Sequence, residues 1–220
     1  MTLIAYIRRL TGLWPSKRGW LRGIIPVLLL LPSFAWAQTI LILGDSISAA
    51  YGVKPKTAWV ARLQARLPDD RVINASISGE MTSGGRVRLP RLLTRYRPDV
   101  VVIELGGNDG LRGFPIAQIR DNLSEMVRLS REGEARVLLL GMRIPPNYGT
   151  RYTGAFHRVY ADVASRFRIP LVPFLLDGIA THDDLMQADG LHPNDRAQRA
   201  LLENVWEDLR VLLELPSEPP

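Results

Sequence analysis

Read from Thr39 onward, short runs of apolar residues with little polar alternation recur between longer segments of helical spacing. The apolar runs are Thr39 to Leu43, Val72 to Ala75, Val100 to Leu105, Val137 to Leu140 and Leu171 to Phe174. The intervening segments are Trp59 to Leu67, Val87 to Tyr96, Ile116 to Leu129, Ala155 to Phe167 and a last one from Arg196 to Leu213. Continuous apolar runs are what strands covered on both faces look like, and helices between them make parallel crossovers. The pattern predicts a single α/β domain, a three-layer sandwich around a doubly wound parallel sheet of about five strands. In the last helix Ala197, Leu201, Val205, Leu209 and Leu212 fall at helical spacing and are expected to face the sheet.

Before Thr39 the pattern is different. Arg8, Arg9, Lys17, Arg18 and Arg22 precede an apolar run from Ile24 to Leu31, followed by Ala35-Trp36-Ala37. That order predicts a secretory signal peptide over residues 1–37, cleaved after Ala37, and an exported protein with the bacterial periplasm as its destination. The apolar stretch is interrupted by Pro26 and Pro32 and is too short for a bilayer span, so no stable membrane anchor is expected. Residues 38–220 then form one domain with a short Pro-rich tail, expected to act as a monomer.

Charge changes meaning once that segment is set aside. The chain carries 28 Lys and Arg against 22 Asp and Glu, but residues 1–37 hold five of the basic residues and none of the acids, which leaves 23 against 22. No basic tract remains to suggest a nucleic-acid partner. With 46% hydrophobic and 23% charged residues the composition is that of an ordinary folded domain. The absence of cysteine excludes thiolate nucleophiles, cysteine zinc sites and iron–sulfur clusters, and only three His remain for imidazole chemistry. No His and carboxylate cluster has metal-ligand spacing, and neither G-x-G-x-x-G nor G-x-x-x-x-G-K-[ST] occurs, so neither a metal nor a nucleotide cofactor is expected.

In a doubly wound sheet, function collects beyond the carboxyl ends of the strands. Four such places are polar or Gly-rich: Gly44-Asp45-Ser46, Asn74 to Glu80, Gly106 to Gly110, and Asp189 to Pro193. Together they could supply a nucleophile (Ser46), a base (His192), a carboxylate to orient it (Asp189), and oxyanion donors from the Ser46 N–H, Gly79 and Asn108. Each has a plainer reading: Ser46 as a helix cap, Gly79 as a simple turn glycine rather than one whose N–H a side chain would obstruct, Asn108 as a loop tie. His157, inside a predicted helix, and His182, in an acidic stretch, read as surface or packing residues.

With these residues in place the chain resembles the SGNH, or GDSL-type, hydrolases. The stretches that carry the resemblance are ILILGDSISAAYGV, VINASISGEMTSGG, VVIELGGNDGLRGF, RIPPNYGTRYTGAF and ADGLHPNDRAQ, which run from Ile40 to Gln198. The family resemblance implies a flavodoxin-like sandwich and a catalytic triad of Ser46, His192 and Asp189, with Ser46, Gly79 and Asn108 as the oxyanion hole. It also implies serine hydrolysis of carboxylic esters, fatty acyl thioesters and lysophospholipids through an acyl-Ser46 intermediate, with no cofactor. Ile47 stands where the commonest family motif has Leu, a swap of similar volume. Ile47, Leu111, Phe114, Ile144, Pro145 and Tyr148 are the candidate walls of an acyl site, with residues 110–114 expected as an irregular loop that closes over the chain. A carbohydrate O-acetyl esterase and a non-catalytic lipid-binding module on the same fold are the rival readings.

Overall fold

Residues 37–215 are described by the structure, a computed structural model; the expected signal segment, apart from Ala37, and the Pro-rich tail lie outside the described residues. Five parallel strands, β1 (Thr39–Gly44), β2 (Arg71–Asn74), β3 (Val100–Glu104), β4 (Arg136–Leu140) and β5 (Leu171–Val172), form one sheet in the order β2-β1-β3-β4-β5. The helices are α1 (Trp59–Arg66), α2 (Thr82–Tyr96), α3 (Gly107–Leu111), α4 (Ile116–Glu132), α5 (Thr150–Phe167) and α6 (Gln198–Leu212). α1 packs beside α6, while α2 packs on α4 and α4 on α5, which gives the two outer layers.

The order of the strands follows from handedness. A right-handed crossover from β1 to β2 puts its helix on one face; the chain then reverses direction across the sheet, so the next crossovers lie on the other face. The reversal falls between β1 and β3, where their following loops part and leave a crevice. Ile40 pairs with Val100 and Gly44 with Glu104, so the two strands end side by side.

β1 and β3 are the axis of the core. Ile40 to Leu43 and Val100 to Ile103 are fully buried, which is why their sequences show no polar alternation. Trp59 on one face and Phe156 and Tyr160 on the other are the largest fully buried side chains. Leu201, Val205 and Leu209 of α6 are buried against the sheet as expected, with Ala197 just before the helix; Leu212 is only partly buried and Leu213 takes the inner position.

Several boundaries differ from the sequence pattern. α2 begins at Thr82 rather than Val87. Its first turn contains Gly84 and Gly85, which give no helical apolar signal, but a Cβ on Gly85 would lie 2.3 Å from Leu105 Cδ1, so the helix approaches the sheet through that glycine. α5 begins at Thr150 rather than Ala155, and α3 occupies part of the segment expected to be irregular. β5 stops at Val172, where the next acceptor on the neighbouring strand, the Gly141 carbonyl, is taken by the Leu175 N–H at 2.9 Å; the Pro173 carbonyl sits where a Cβ on Gly141 would be, at 2.4 Å.

This last contact is backbone against backbone and cannot be relieved by a rotamer change. Gly141→Ala is expected to destabilise the fold by about 1–3 kcal/mol, read as a lower denaturation midpoint at unchanged m-value. Gly133→Ala, where φ is −82° and no atom lies closer than 3.4 Å to the added Cβ, should change stability by less than about 0.5 kcal/mol.

Candidate active site

The turn that follows β1 is built by Asp45. Its Oδ1 accepts the Ile47 N–H at 3.1 Å, and its carbonyl accepts the Ala49 N–H at 2.9 Å, so Ser46 is held at the apex of a tight turn over the strand end. Ser46 is nearly buried, yet its Oγ lies 2.8 Å from His192 Nε2. His192 Nδ1 lies 2.7 Å from Asp189 Oδ2, and the other Asp189 oxygen accepts the N–H groups of Leu191 at 2.9 Å and His192 at 3.0 Å. Partial desolvation pushes the Asp189 carboxyl upward, but the two backbone N–H groups and the His192 ring outweigh it and hold the pKa at about 2. An ionised Asp189 fixes the proton on Nδ1, which leaves Nε2 to accept the Ser46 hydroxyl proton.

The loop that carries Asp189 and His192 comes after β5 and is held in several places. Met186 and Pro193 form an antiparallel bridge, the Gln187 N–H donates to the His192 carbonyl at 2.7 Å, and the Gln187 side chain donates to the carbonyls of Tyr51 and Pro193. Gly190 at φ +66° makes the reversal between the two acid–base residues. The Tyr51 ring leans on His192 with centroids 4.7 Å apart.

Gly79 lies in the loop after β2, alongside the end of β1 through an Ile77 N–H bond of 3.0 Å to the Gly44 carbonyl. A Cβ on Gly79 would meet nothing within 4 Å, so obstruction is not the reason for glycine; its φ of +77° is. An ion pair between Glu80 and Arg88 at 2.6 Å and an Arg88 bond to the Ala75 carbonyl hold this loop against α2. Asn108 enters from the first turn of α3, and its Nδ2 donates to Asp45 Oδ2 at 3.0 Å and to the Glu80 carbonyl at 3.1 Å. The amide therefore sits between the Ser46 turn and the Gly79 loop.

Below Asn108 the packing is polar but satisfied. The buried Asp109 carboxylate accepts the Thr82 N–H at 2.9 Å and the Thr82 hydroxyl at 2.6 Å, and Asn122 donates to that hydroxyl. Tyr160 donates to the Leu105 carbonyl at 3.0 Å; burial first, then the carboxyl groups of Asp109, Asp45 and Glu104, push its phenol well above the ordinary range and keep it neutral.

A cleft of about 180 Å³ opens beside Ser46, His192 and Asn108. Ile47, Leu111, Ile144 and Pro145 line it, joined by Met142, Arg143, Leu176 and Leu191, which the sequence pattern did not single out. Phe114 and Tyr148 are not among its walls. Phe114 packs against the core with its carbonyl bound by the Tyr152 hydroxyl at 2.7 Å. Tyr148 donates to the Leu111 carbonyl at 2.9 Å and lines a separate, shallow depression with Ile116 and Tyr152. Gly110 is glycine for packing rather than freedom, since a Cβ there would lie 2.7 Å from the Phe156 ring and 2.8 Å from Ile144. His157 is half-buried in α5 and His182 is exposed; neither lines the cleft. Among the described residues no group of three or more His, Cys, Asp and Glu is placed to hold a metal ion.

Known proteins are similar to this chain over nearly the whole domain. Residues 42–200 match the GDSL-like Lipase/Acylhydrolase family. The esterase TesA of Pseudomonas aeruginosa is 54% identical over 190 residues, covering 84% of this chain and 94% of TesA. Thioesterase 1/protease 1/lysophospholipase L1 of Escherichia coli is 41% identical over 180 residues, 81% of this chain and 86% of the relative. The crystal structure of the psychrotrophic esterase EstA from Pseudoalteromonas sp., inhibited by monoethylphosphonate, aligns with a TM-score of 0.77 at 42% identity, covering 80% of this chain and 99% of EstA. The chain belongs to the GDSL-like lipase/acylhydrolase family and is a hydrolase of ester bonds.

Proposed function

We propose that the protein is a serine esterase and thioesterase that transfers an acyl group to Ser46 and then to water. The observation that carries this reading is the unbroken chain Ser46 Oγ to His192 Nε2 at 2.8 Å and His192 Nδ1 to Asp189 Oδ2 at 2.7 Å, at the mouth of an apolar cleft. As Ser46 Oγ attacks the acyl carbon, its proton passes to His192 Nε2, and the ionised Asp189 stabilises the imidazolium. The imidazolium then returns the proton to the departing alcohol or thiol; water repeats the sequence on the acyl-enzyme.

The oxyanion is received by the Ser46 N–H, the Gly79 N–H and Asn108 Nδ2, whose second hydrogen leaves the Glu80 carbonyl for the oxyanion while the first stays on Asp45. Neither of the two backbone N–H groups has an acceptor among the described residues, so both are free to donate. Preorganised donors of this kind act where charge develops and are worth ~3–4 kcal/mol each. The apolar walls Ile47, Leu111, Ile144 and Pro145 favour an acyl chain over a sugar. The relatives' names point to thioesters, aryl esters and lysophospholipids as the substrate classes, and the apolar cleft walls to fatty acyl groups among them.

The protein works outside the inner membrane on this reading. The support is the basic, apolar and Ala35-Trp36-Ala37 order of residues 1–37. Among the described residues no helix is long and apolar enough to cross a membrane.

Ser46→Ala is expected to leave a folded protein that hydrolyses none of the p-nitrophenyl esters from acetyl to octanoyl, while the wild type is labelled once by a fluorophosphonate, at Ser46. Labelling elsewhere, or surviving activity, removes the nucleophile assignment; wild-type activity restricted to acetyl esters favours the O-acetyl esterase reading instead.

Asn108→Ala should lower kcat by about 10²–10³-fold with little change in KM, because the amide acts on the transition state. A raised KM at unchanged kcat would place Asn108 in substrate binding.

Asp189→Asn should lower kcat by about 10⁴-fold through the wrong imidazole tautomer. Its effect on stability has a sign set by the depressed pKa. The folded carboxyl titrates at about 2 and an unfolded one at about 3.9, so the pairing stabilises the fold above about pH 4 and that contribution fades as the pH falls toward 2. Urea midpoints of wild type and Asp189→Asn should therefore converge over that interval.

A further inference from the structure

Two acids buried beneath the nucleophile take no part in the acyl transfer just described. Glu104, at the end of β3, is completely buried, and Asp45, next to Ser46, is 3% exposed. Glu104 Oε2 accepts the Asp45 N–H at 3.1 Å and the Ser48 hydroxyl at 2.8 Å, whereas Glu104 Oε1 is buried and accepts no hydrogen bond. The two acids are direct neighbours, joined through the Asp45 N–H on Glu104 Oε2, and each carboxyl bears on the protonation of the other. Two ionised carboxylates buried side by side repel each other and can only accept, so one proton is kept within the pair.

The neighbours decide which acid holds it. Asp45 accepts from the Ile47 N–H at 3.1 Å and from Asn108 Nδ2 at 3.0 Å, and Ser46 Oγ lies 3.5 Å away, so its oxygens are already used as acceptors. Glu104 has an oxygen to spare. The charged and titratable groups around the pair are His192, which faces Asp45, and the Tyr160 phenol, which senses both acids together with Asp109; no Lys or Arg is among them. A second buried negative charge would have no cation to offset it. Burial first, then the Asp45 charge, pushes the Glu104 carboxyl well above the ordinary range.

We propose that Glu104 is a protonated positioning residue which donates to Asp45, and that through Asp45 it fixes both the Ser46 turn and the Asn108 amide. The inference rests on the reading of Ser46 as nucleophile and Asn108 as oxyanion donor. Asp45 is the one side chain bonded to both the turn and the amide, so a shift of its carboxylate moves nucleophile and oxyanion donor together. Gly44 belongs to the same arrangement: a Cβ there would lie 2.6 Å from Glu104 Oε2 and 2.8 Å from Ser48 Cβ, so only glycine lets the acid close under the turn.

Two measurements test this on the full chain. At about pH 8, where exposed carboxyl groups are ionised, the infrared spectrum of the wild type should contain the carbonyl band of a protonated carboxylic acid that Glu104→Gln lacks. An unchanged spectrum overturns the shared proton, and because this arm reads no activity it leaves the Ser46 assignment to the labelling experiment. In kinetics, Glu104→Leu removes the donor and both acceptors and should lower kcat about 10²-fold with KM little changed, as expected for sub-ångström to ångström displacement of catalytic groups. Glu104→Gln, whose amide donates to Asp45 while its carbonyl accepts from the Asp45 N–H and Ser48, should restore kcat to within about threefold of wild type. A loss in Glu104→Gln as large as in Glu104→Leu overturns the proposal, since the residue would then act as an anion; if Glu104→Leu does not fold, the infrared band and the kcat of Glu104→Gln decide.

Discussion

The pairing of β1 with β3, with Gly44 in register opposite Glu104, is the constraint on which the rest of the molecule depends. It places two completely buried strands at the point where the chain reverses its winding, and it makes both end at the same height. Everything beyond that edge is then set within a few ångströms: the nucleophile turn rises from one strand, the Asn108 helix from the other. A slip of one residue would turn each inward side chain to the opposite face and carry Glu104 out from under Asp45.

That edge concentrates polar groups in a place where polarity is expensive. An unsatisfied buried donor or acceptor costs ~1–3 kcal/mol, and apart from Glu104 Oε1 the acids and amides that close this edge are matched locally. Asp109 is bound by the backbone and hydroxyl of Thr82, Tyr160 by the Leu105 carbonyl, and Asn108 by Asp45 and Glu80. α2, α3 and α5 are thereby tied to the strand ends through hydrogen bonds as well as apolar contact. The Ser46, Gly79 and Asn108 segments meet because each is fastened to a different strand of one sheet.

The loop that brings Asp189 and His192 is anchored differently. It follows the shortest strand and has little core of its own; its position depends on the Met186 and Pro193 bridge, on Gln187 reaching to Tyr51, and on the stacking of Tyr51 against His192. The base is thus attached to the turn that carries the nucleophile, and its distance to Ser46 is held by bonds between the two loops rather than by the sheet.

The sequence by itself determined the layers and singled out the polar strand ends as the candidate site. Runs such as Ile40 to Leu43 and Val100 to Ile103 are apolar because both faces are covered, and that requirement is local enough to read residue by residue. Ser46, Asn108, Asp189 and His192 were legible as candidates because few residue types can supply a nucleophile, a base and oxyanion donors, and because the motifs around them resemble a known family. What only the tertiary structure decided are the close approaches between segments distant in the chain. Gly85 lets the first turn of α2 lie close on Leu105, Gly110 makes room for Phe156, Phe114 packs on the core rather than lining the cleft, and the Tyr148 hydroxyl is bound to the Leu111 carbonyl. Glu104 was the hardest to see, although a single acid ending the run Val-Val-Val-Ile was the signal. Its meaning depends on Asp45, 59 residues earlier, and hydrophobic periodicity reports which face of an element is covered, not which side chain covers it.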